Sequence, residues 1–457
     1  MLRCSWLVAL SLCFASSAAA AVFTVTKTSD GNDGVCDADC SVREAVQAAN
    51  LEPGSTVLVP AGTHRLTLPP PARIANHPGD GSGGNLVVNA PMTITGAGRG
   101  ATILDARPEG SPQGGDRVLA VFVDGDLALS GVTITGGMLL SQLDQGGGVQ
   151  VLGGRLALSD SEIVRNVTNG AGGGMVIGHD SETPAVVSIV RSEIAENTSL
   201  GGGGGIFTVN NTVSIVDSVI RDNRSVRGGG GGVINMDSGT RFNTPQALLR
   251  VLRSTVSGNV SGNPAIDPLV GGIGGGIFNS SGRVEIENST ITGNLVHGVY
   301  VEGLGWLPGT GQGGGVAHRL ILGDDPADGT FVTNSTIAWN DGPAGAQLYS
   351  IPTTGVAELV NTIVAGDGAE PNCGSQGGQV GYASAGGNVG SDASPCQLAH
   401  PTDQAGVDPG LAAALADGGG PTPTLALLEG SPALGAGVAA RCPARDQRGA
   451  LRRVPCD

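Results

Sequence analysis

The sequence predicts an all-β solenoid, a parallel β-helix of stacked coils, and three observations carry that prediction. They are a recurring unit with a period in the twenties to thirties of residues, glycine runs in step with it, and strand-like alternation with almost no helical periodicity. Residues 201–223, GGGGGIFTVNNTVSIVDSVIRDN, show the unit whole. Around Ser218 stand apolar Val213, Ile215 and Ile220, with Asn223 closing the pattern. Further copies centre on Ser161, Ser192, Ser254 and Ser289, each ending in Asn166, Asn197, Asn259 or Asn294. The copy at Ser335 and Asn340 has lost its first apolar residue. A degenerate copy holds Leu127, Leu129 and Ile134, with Gly137 in the place of Asn.

Each unit reads as two short strands separated by a polar corner. One unit cannot bury its own apolar face, but coil stacked on coil buries it. Asn at a constant corner suggests a left-handed backbone there, and Gly137 shares that freedom. The repeat asparagines are therefore read as structural.

Composition bounds the function. The chain has 457 residues, 79 of them Gly, and Lys27 is the only lysine. Glycine this abundant is compatible with disorder, yet 40% hydrophobic content and the aliphatic alternation argue for a packed core. The formal net charge of −16 argues against non-specific binding to nucleic acid or to an anionic membrane, because both require a basic face. Neutral glycans and cations remain as partners.

The expected organisation has four parts. Residues 1–20 read as a secretory signal: Arg3, a short apolar run, then Ala18-Ala19-Ala20. Residues 21–54 form an N-terminal cap with an acidic Cys loop and a short helix. In that cap Ser41 and Glu44 have capping-box spacing, Val42, Ala45, Val46 and Ala49 share one face, and the helix stops before Glu52. Residues 55–366 are the repeats, and residues 367–457 are a C-terminal cap region. Six cysteines follow the signal, an even number that favours disulfides in an oxidising compartment. Proximity suggests Cys36 with Cys40, Cys373 with Cys396 and Cys442 with Cys456, among 15 possible connectivities for six cysteines.

Cys40-Ser41-Val42-Arg43-Glu44-Ala45-Val46, preceded by an acidic loop, resembles the N-terminal motif of exported bacterial proteins named for Cys-Ser-Leu-Arg-Glu-Ala, with Val42 in place of Leu. The far end resembles the region of "choice-of-anchor" surface proteins. It carries Gly386-Gly387-Asn388, Asp408-Pro409, Gly419-Gly420-Pro421-Thr422-Pro423-Thr424, Gly430-Ser431-Pro432-Ala433 and Asp446-Gln447-Arg448-Gly449. The repeats between are similar to those of polymorphic outer-membrane proteins. The resemblance implies a single-stranded right-handed parallel β-helix, a pectate-lyase-like solenoid, at or beyond the cell surface, and it brings no catalytic residues with it. Gly435 stands where the pattern has Asp. No hydrophobic segment follows Cys456, so a secreted or periplasmic product is expected rather than an anchored one.

Function is sought where the repeat is broken, in the longer loops between Asn259 and Ser335, because solenoid insertions collect on loops of a binding face. Three candidate sites follow. His297, Tyr300 and Trp306 in one such loop offer a glycan-contacting patch. Asp237, His297, Asp324 and Asp325 are acid/base candidates for a polysaccharide lyase or glycoside hydrolase. Asp30, Asn32, Asp33, Asp37 and Asp39 supply oxygens for Ca2+, although their spacing is not that of an EF-hand and a disulfide-pinned acidic turn explains them as well. The preferred expectation is an exported, non-catalytic scaffold for adhesion or glycan contact, with no cofactor. A carbohydrate-active enzyme of the pectate-lyase-like class is the alternative. The sequence carries no signal for oligomeric state.

Overall fold

The computed structural model describes residues 20–70, 80–107, 116–141, 144–178, 183–238, 247–267, 271–301, 305–307, 310–319, 327–351, 357–376, 381–393, 396–453 and 455–456. They form a parallel β-helix. A regular coil carries four strands, two more than the sequence pattern suggests. In one coil these are Ile206–Val209, Thr212–Val216, Val219–Arg221 and Arg224–Ser225. Stacked coil on coil they build four parallel sheets, here called sheets 1 to 4 in that order, with 10, 12, 12 and six strands among the described residues.

The register keeps like residues in line. Leu129, Leu158, Ile189, Ile215, Val251 and Ile286 are successive partners on sheet 2. Ile134, Ile163, Ile194, Ile220, Val256 and Ile291 do the same on sheet 3. All twelve are buried. Full burial of such a side chain is worth about 1.5–3 kcal/mol, so each coil added to the stack extends a continuous core.

The corners correct one expectation. The left-handed residue is the one before Asn, not Asn itself: Arg165, Glu196 and Asp222 have φ of 57°, 56° and 54°. A second left-handed residue precedes each Ser, as at Asp160, Arg191 and Asp217. Asn is required for its side chain. Asn197 donates both its backbone N–H and its Nδ2 to Oδ1 of Asn223, each at 3.0 Å, and Asn223 repeats this on Asn259. The ladder runs from Gly137, which donates its N–H to Asn166 Oδ1, to Asn340, which donates to Gln347 Oε1. Gly137 thus stands in place of Asn at the end of the ladder, where the N–H of Arg107 in the preceding coil donates to Asp105 Oδ1 instead, and the positive φ falls on Gly136. A serine ladder runs alongside, with Ser161 N–H donating to Ser192 Oγ and Ser192 N–H to Ser218 Oγ.

The glycine runs have a steric cause. A Cβ on Gly204 would stand 2.3 Å from Gly231 O and 2.5 Å from the Arg224 carbonyl carbon, both backbone atoms that cannot swing away. A Cβ on Gly202 would meet Ile234 Cδ1 at 2.4 Å. The bare glycine backbone therefore lies over the outward column of sheet 1. There Ile234, Phe278, Ala317 and Tyr349 form a second apolar cluster, with Phe207 packed against it.

At the N-terminal end, helix α1 (Val42–Leu51) packs on the first strands and buries Val42, Ala45, Val46 and Ala49. Its capping box is complete: Ser41 Oγ accepts from the Glu44 N–H, and Glu44 accepts from the Ser41 N–H at 2.6 Å. Arg43 is buried and holds Asp30 with two hydrogen bonds of 2.9 Å, while its other N–H groups donate to the carbonyls of Gly81, Gly84 and Asn85. Each residue of the Cys-Ser-Val-Arg-Glu-Ala stretch thus has a structural task.

The strand ladders continue through Tyr382–Ser384, Val389–Gly390 and Gln404–Ala405. Residues 406–456 then run back along the outer side of sheet 3 as a strap. Thr422 Oγ1 donates to Arg253 O, Thr255 Oγ1 to Pro423 O, Asn334 Nδ2 to Arg441 O, and Trp339 Nε1 to Ala412 O. Gln447 is the buried knot. It accepts from Thr290 Oγ1 and donates to Ser254 O, Thr255 Oγ1 and Thr422 Oγ1. The disulfides are Cys36–Cys40, Cys373–Cys396 and Cys442–Cys456.

Candidate functional surface

The loops singled out from sequence lie on the two borders of sheet 1. Asp237 follows the strand Val233–Met236, at the border with sheet 2, where its N–H donates to Ser280 O. His297 follows the sheet 4 strand Leu295–Val296, at the opposite border, with its N–H on Ser261 O and its carbonyl accepting from Gly272. The four residues of a sheet 1 strand, about 13 Å of extended chain, separate those borders. Burial pushes the His297 imidazole below its ordinary value; Arg224 acts in the same direction and Asp341 against it. Beyond it, Tyr300–Val301 pairs antiparallel with Gly305–Trp306, setting Tyr300 opposite Trp306 in a small hairpin. Asp324 and Asp325 lie outside the described residues.

The acidic N-terminal residues are engaged individually. Asp30 accepts from Arg43 and from the Thr67 and Leu68 amides. Asn32 donates to Ser82 O, Asp33 accepts from the Val35 amide, Asp37 from the Asp39 amide, and Asp39 from Lys27 at 3.1 Å. Glu44 faces the same loop. Its burial raises its pKa, but the amides of Ser41 and Asp33, the Ser41 hydroxyl and Lys27 outweigh that and hold the carboxyl below its usual range. Among the described residues no three or more His, Cys, Asp or Glu side chains gather as metal ligands would.

The surface that does gather chemistry is the outer face of sheet 3, which the sequence reading passed over. The sheet 3 strands from Thr133–Thr135 to Ile363–Ala365 are three residues long, so one residue in each points inward and its two neighbours outward. Thr133, Glu162, Glu193 and Val219 are successive partners in one outward column. Thr133 Oγ1 donates to Glu162 at 2.7 Å. Arg221 contacts Glu193 at 2.5 Å, with Arg99 3.9 Å from the same carboxylate. At the corners above, the left-handed residues pair across coils. Arg191 binds Asp160 through two N–H groups, and Arg253 binds Asp217 in the same way. The Arg191 hydrogen bond holds the Asp160 carboxyl below its ordinary value, and the Asp217 hydrogen bond holds the Arg253 guanidinium above its own.

Four coils further on, the same column becomes Thr255, Thr290, Thr336 and Ile363, and here the strap covers it. A cleft of about 350 Å³ remains between them. Its floor is Thr290, Asn334, Thr336 and Asn361; its roof includes Asp417, Leu425, Asp446 and Arg448. Hydroxyls, carboxamides and aliphatic patches of this kind suit a polyhydroxylated ligand.

No family model matches the sequence, and no curated protein matches it. The fold is similar to the crystal structure of pectate lyase Pel9A, with a TM-score of 0.45 at 15% identity over 81% of this chain and 80% of that one. It is also similar to the Azotobacter vinelandii mannuronan C-5 epimerase AlgE4 A-module, with a TM-score of 0.47 at 15% identity over 82% of this chain and 96% of that one.

Proposed function

We propose that the protein is an exported, non-catalytic scaffold that presents the long outer face of sheet 3 to extracellular glycans or cell-surface components. One observation carries the reading: the charged side chains of that face pair with one another from coil to coil, Asp160 with Arg191, Asp217 with Arg253 and Glu193 with Arg221. Of these carboxyls Asp160 is held below its ordinary value by the Arg191 hydrogen bond, the opposite of what a general acid needs. Three disulfides accord with an oxidising, extracytoplasmic compartment. Among the described residues no helix is long and apolar enough to cross a membrane. The test is incubation with acidic and neutral polysaccharides, with retention on immobilised glycan measured beside product release. Retention without products is the expected outcome; steady release of unsaturated products or new reducing ends would overturn it.

A second reading, a carbohydrate-active enzyme, is favoured by the pairing of Glu162 with Glu193 in adjacent coils. Two carboxyl groups on adjacent strands of one face supply the acid and base pair that a glycoside hydrolase requires. If turnover is seen, E162Q and E193Q should each abolish it; turnover that survives both excludes this pair.

A further inference from the structure

The acidic balance of the chain conceals a strongly basic stretch. Residues 441–453, RCPARDQRGALRR, hold five arginines against one aspartate in a chain with a formal net charge of −16. The strap folds this stretch around a cleft of about 510 Å³ in which Arg448, Arg452 and Arg453 meet Leu434, Leu451 and Pro455. Leu434 and Leu451 are 50% and 74% exposed. Among the described residues that line the cleft the one acid is Asp446, and it is already engaged: Oδ1 accepts from the amides of Arg448 and Ala450, and Oδ2 accepts from the Arg448 side chain. Arg452 is steered by Asn288, to whose Oδ1 its NH2 group donates at 2.9 Å. Arg453 stands exposed at the rim, with no ion pair to any described residue. The cleft therefore combines net positive charge with apolar surface, and it shares Leu434, Asp446, Arg448 and Arg452 with the polar cleft under the strap.

We propose that this cleft binds the carboxylate groups of a linear acidic polysaccharide. The proposal rests on the glycan-contact reading above and names its substrate class. Arginine forks match carboxylates in geometry as well as charge. The exposed leucines and Pro455 provide an apolar surface for the faces of sugar rings, and the adjoining hydroxyl- and carboxamide-lined cleft continues along the strap for further sugar units. Densely charged polymers fit less well, because the acidic remainder of the molecule repels a nucleic acid or an anionic bilayer that must lie against more than one small patch.

The test uses the full secreted chain and fluorescent oligogalacturonate, with anisotropy read at low and at near-physiological salt. Neutral dextran, single-stranded DNA and phosphatidylglycerol vesicles are the comparison probes. The expected result is salt-sensitive binding of oligogalacturonate in preference to all three, weakened about tenfold or more in R453E, as loss of a charge-assisted contact and its reversal imply. Arg453 is exposed and outside the strap's hydrogen-bond knot, so an unchanged unfolding midpoint in R453E keeps the comparison clean; R453K should restore part of the affinity. Undiminished binding by R453E overturns this cleft while leaving the glycan-contact reading standing. Failure of the native chain to bind either acidic or neutral glycan overturns both. Tighter binding of DNA or of vesicles assigns the arginines to another class of partner and overturns the proposal.

Discussion

Asn223 and His318 show how single buried polar residues are handled inside the solenoid. Asn223 accepts twice from Asn197 and donates to Ile194 O, so every atom of its carboxamide is used. Leaving such groups unpaired in the interior costs about 1–3 kcal/mol each, which accounts for Asn at that corner in six copies where Asp or Ser has the wrong donor set. His318 lies in the inward column of sheet 1 between Asn279 and Ser350, with Nδ1 2.9 Å from Thr330 Oγ1. Burial lowers its pKa from 6.5 to about 4. Since the folded value is the lower one, the unfolded chain takes up the proton first. The contribution of the neutral imidazole is complete above about pH 6.5 and is lost as pH falls toward 4, amounting to roughly 3 kcal/mol. Urea midpoints measured between pH 7 and 4 should fall for the native chain and fall clearly less for H318Q; equal slopes would remove His318 from the account.

At the scale of elements, the two ends are secured differently. Helix α1 is held by local devices that the sequence displays, the Ser41–Glu44 capping box and an apolar face, together with one that it hides. Asp30 and Arg43 are 13 positions apart and nothing in their spacing announces a buried pair, yet Arg43 joins the acidic loop to residues 81–85. The strap depends on distant partners throughout. Gln447 reaches Ser254 and Thr255 across 193 and 192 positions, and no periodicity links those residues. Q447A should loosen the strap before the solenoid. Limited trypsin digestion is expected to cut at the arginines of residues 441–453 several times faster in Q447A, while strand content by circular dichroism stays as in the native chain. Unaltered protection would mean that the remaining contacts hold the strap alone.

For the whole molecule, stability is close to a sum over coils and their interfaces. Coil length varies while the ladders stay in register: the serine ladder advances by 26 residues from Ser192 to Ser218 and by 46 from Ser289 to Ser335. The extra residues leave through loops beside sheet 1. Removing residues 192–217, one full coil outside the strap contacts, should therefore bring Ser218 into the place of Ser192 and give a shorter molecule that folds and unfolds cooperatively. Removing about half that length should prevent folding, because inward rows would meet outward ones. Soluble yield and thermal unfolding of the two deletions decide the matter.

The repeated Val, Ile and Leu positions, the Ser and Asn corners and the glycine runs were enough to specify stacked parallel coils, because each is a local alternation imposed by the need to bury one side of a short strand. The same pattern misassigned the left-handed backbone to Asn, since ladder asparagines and left-handed residues are neighbours and only φ separates them. It also missed the sheet 1 strands, whose outward residues are apolar too and so break the alternation. Which stretch of sheet 3 is open, which is covered by the strap, and how Arg448, Arg452 and Arg453 come to share one cleft were decided by tertiary packing between residues 253–363 and 406–456. Contacts at that separation leave no period in the chain, whereas the coils they join are written in it residue by residue.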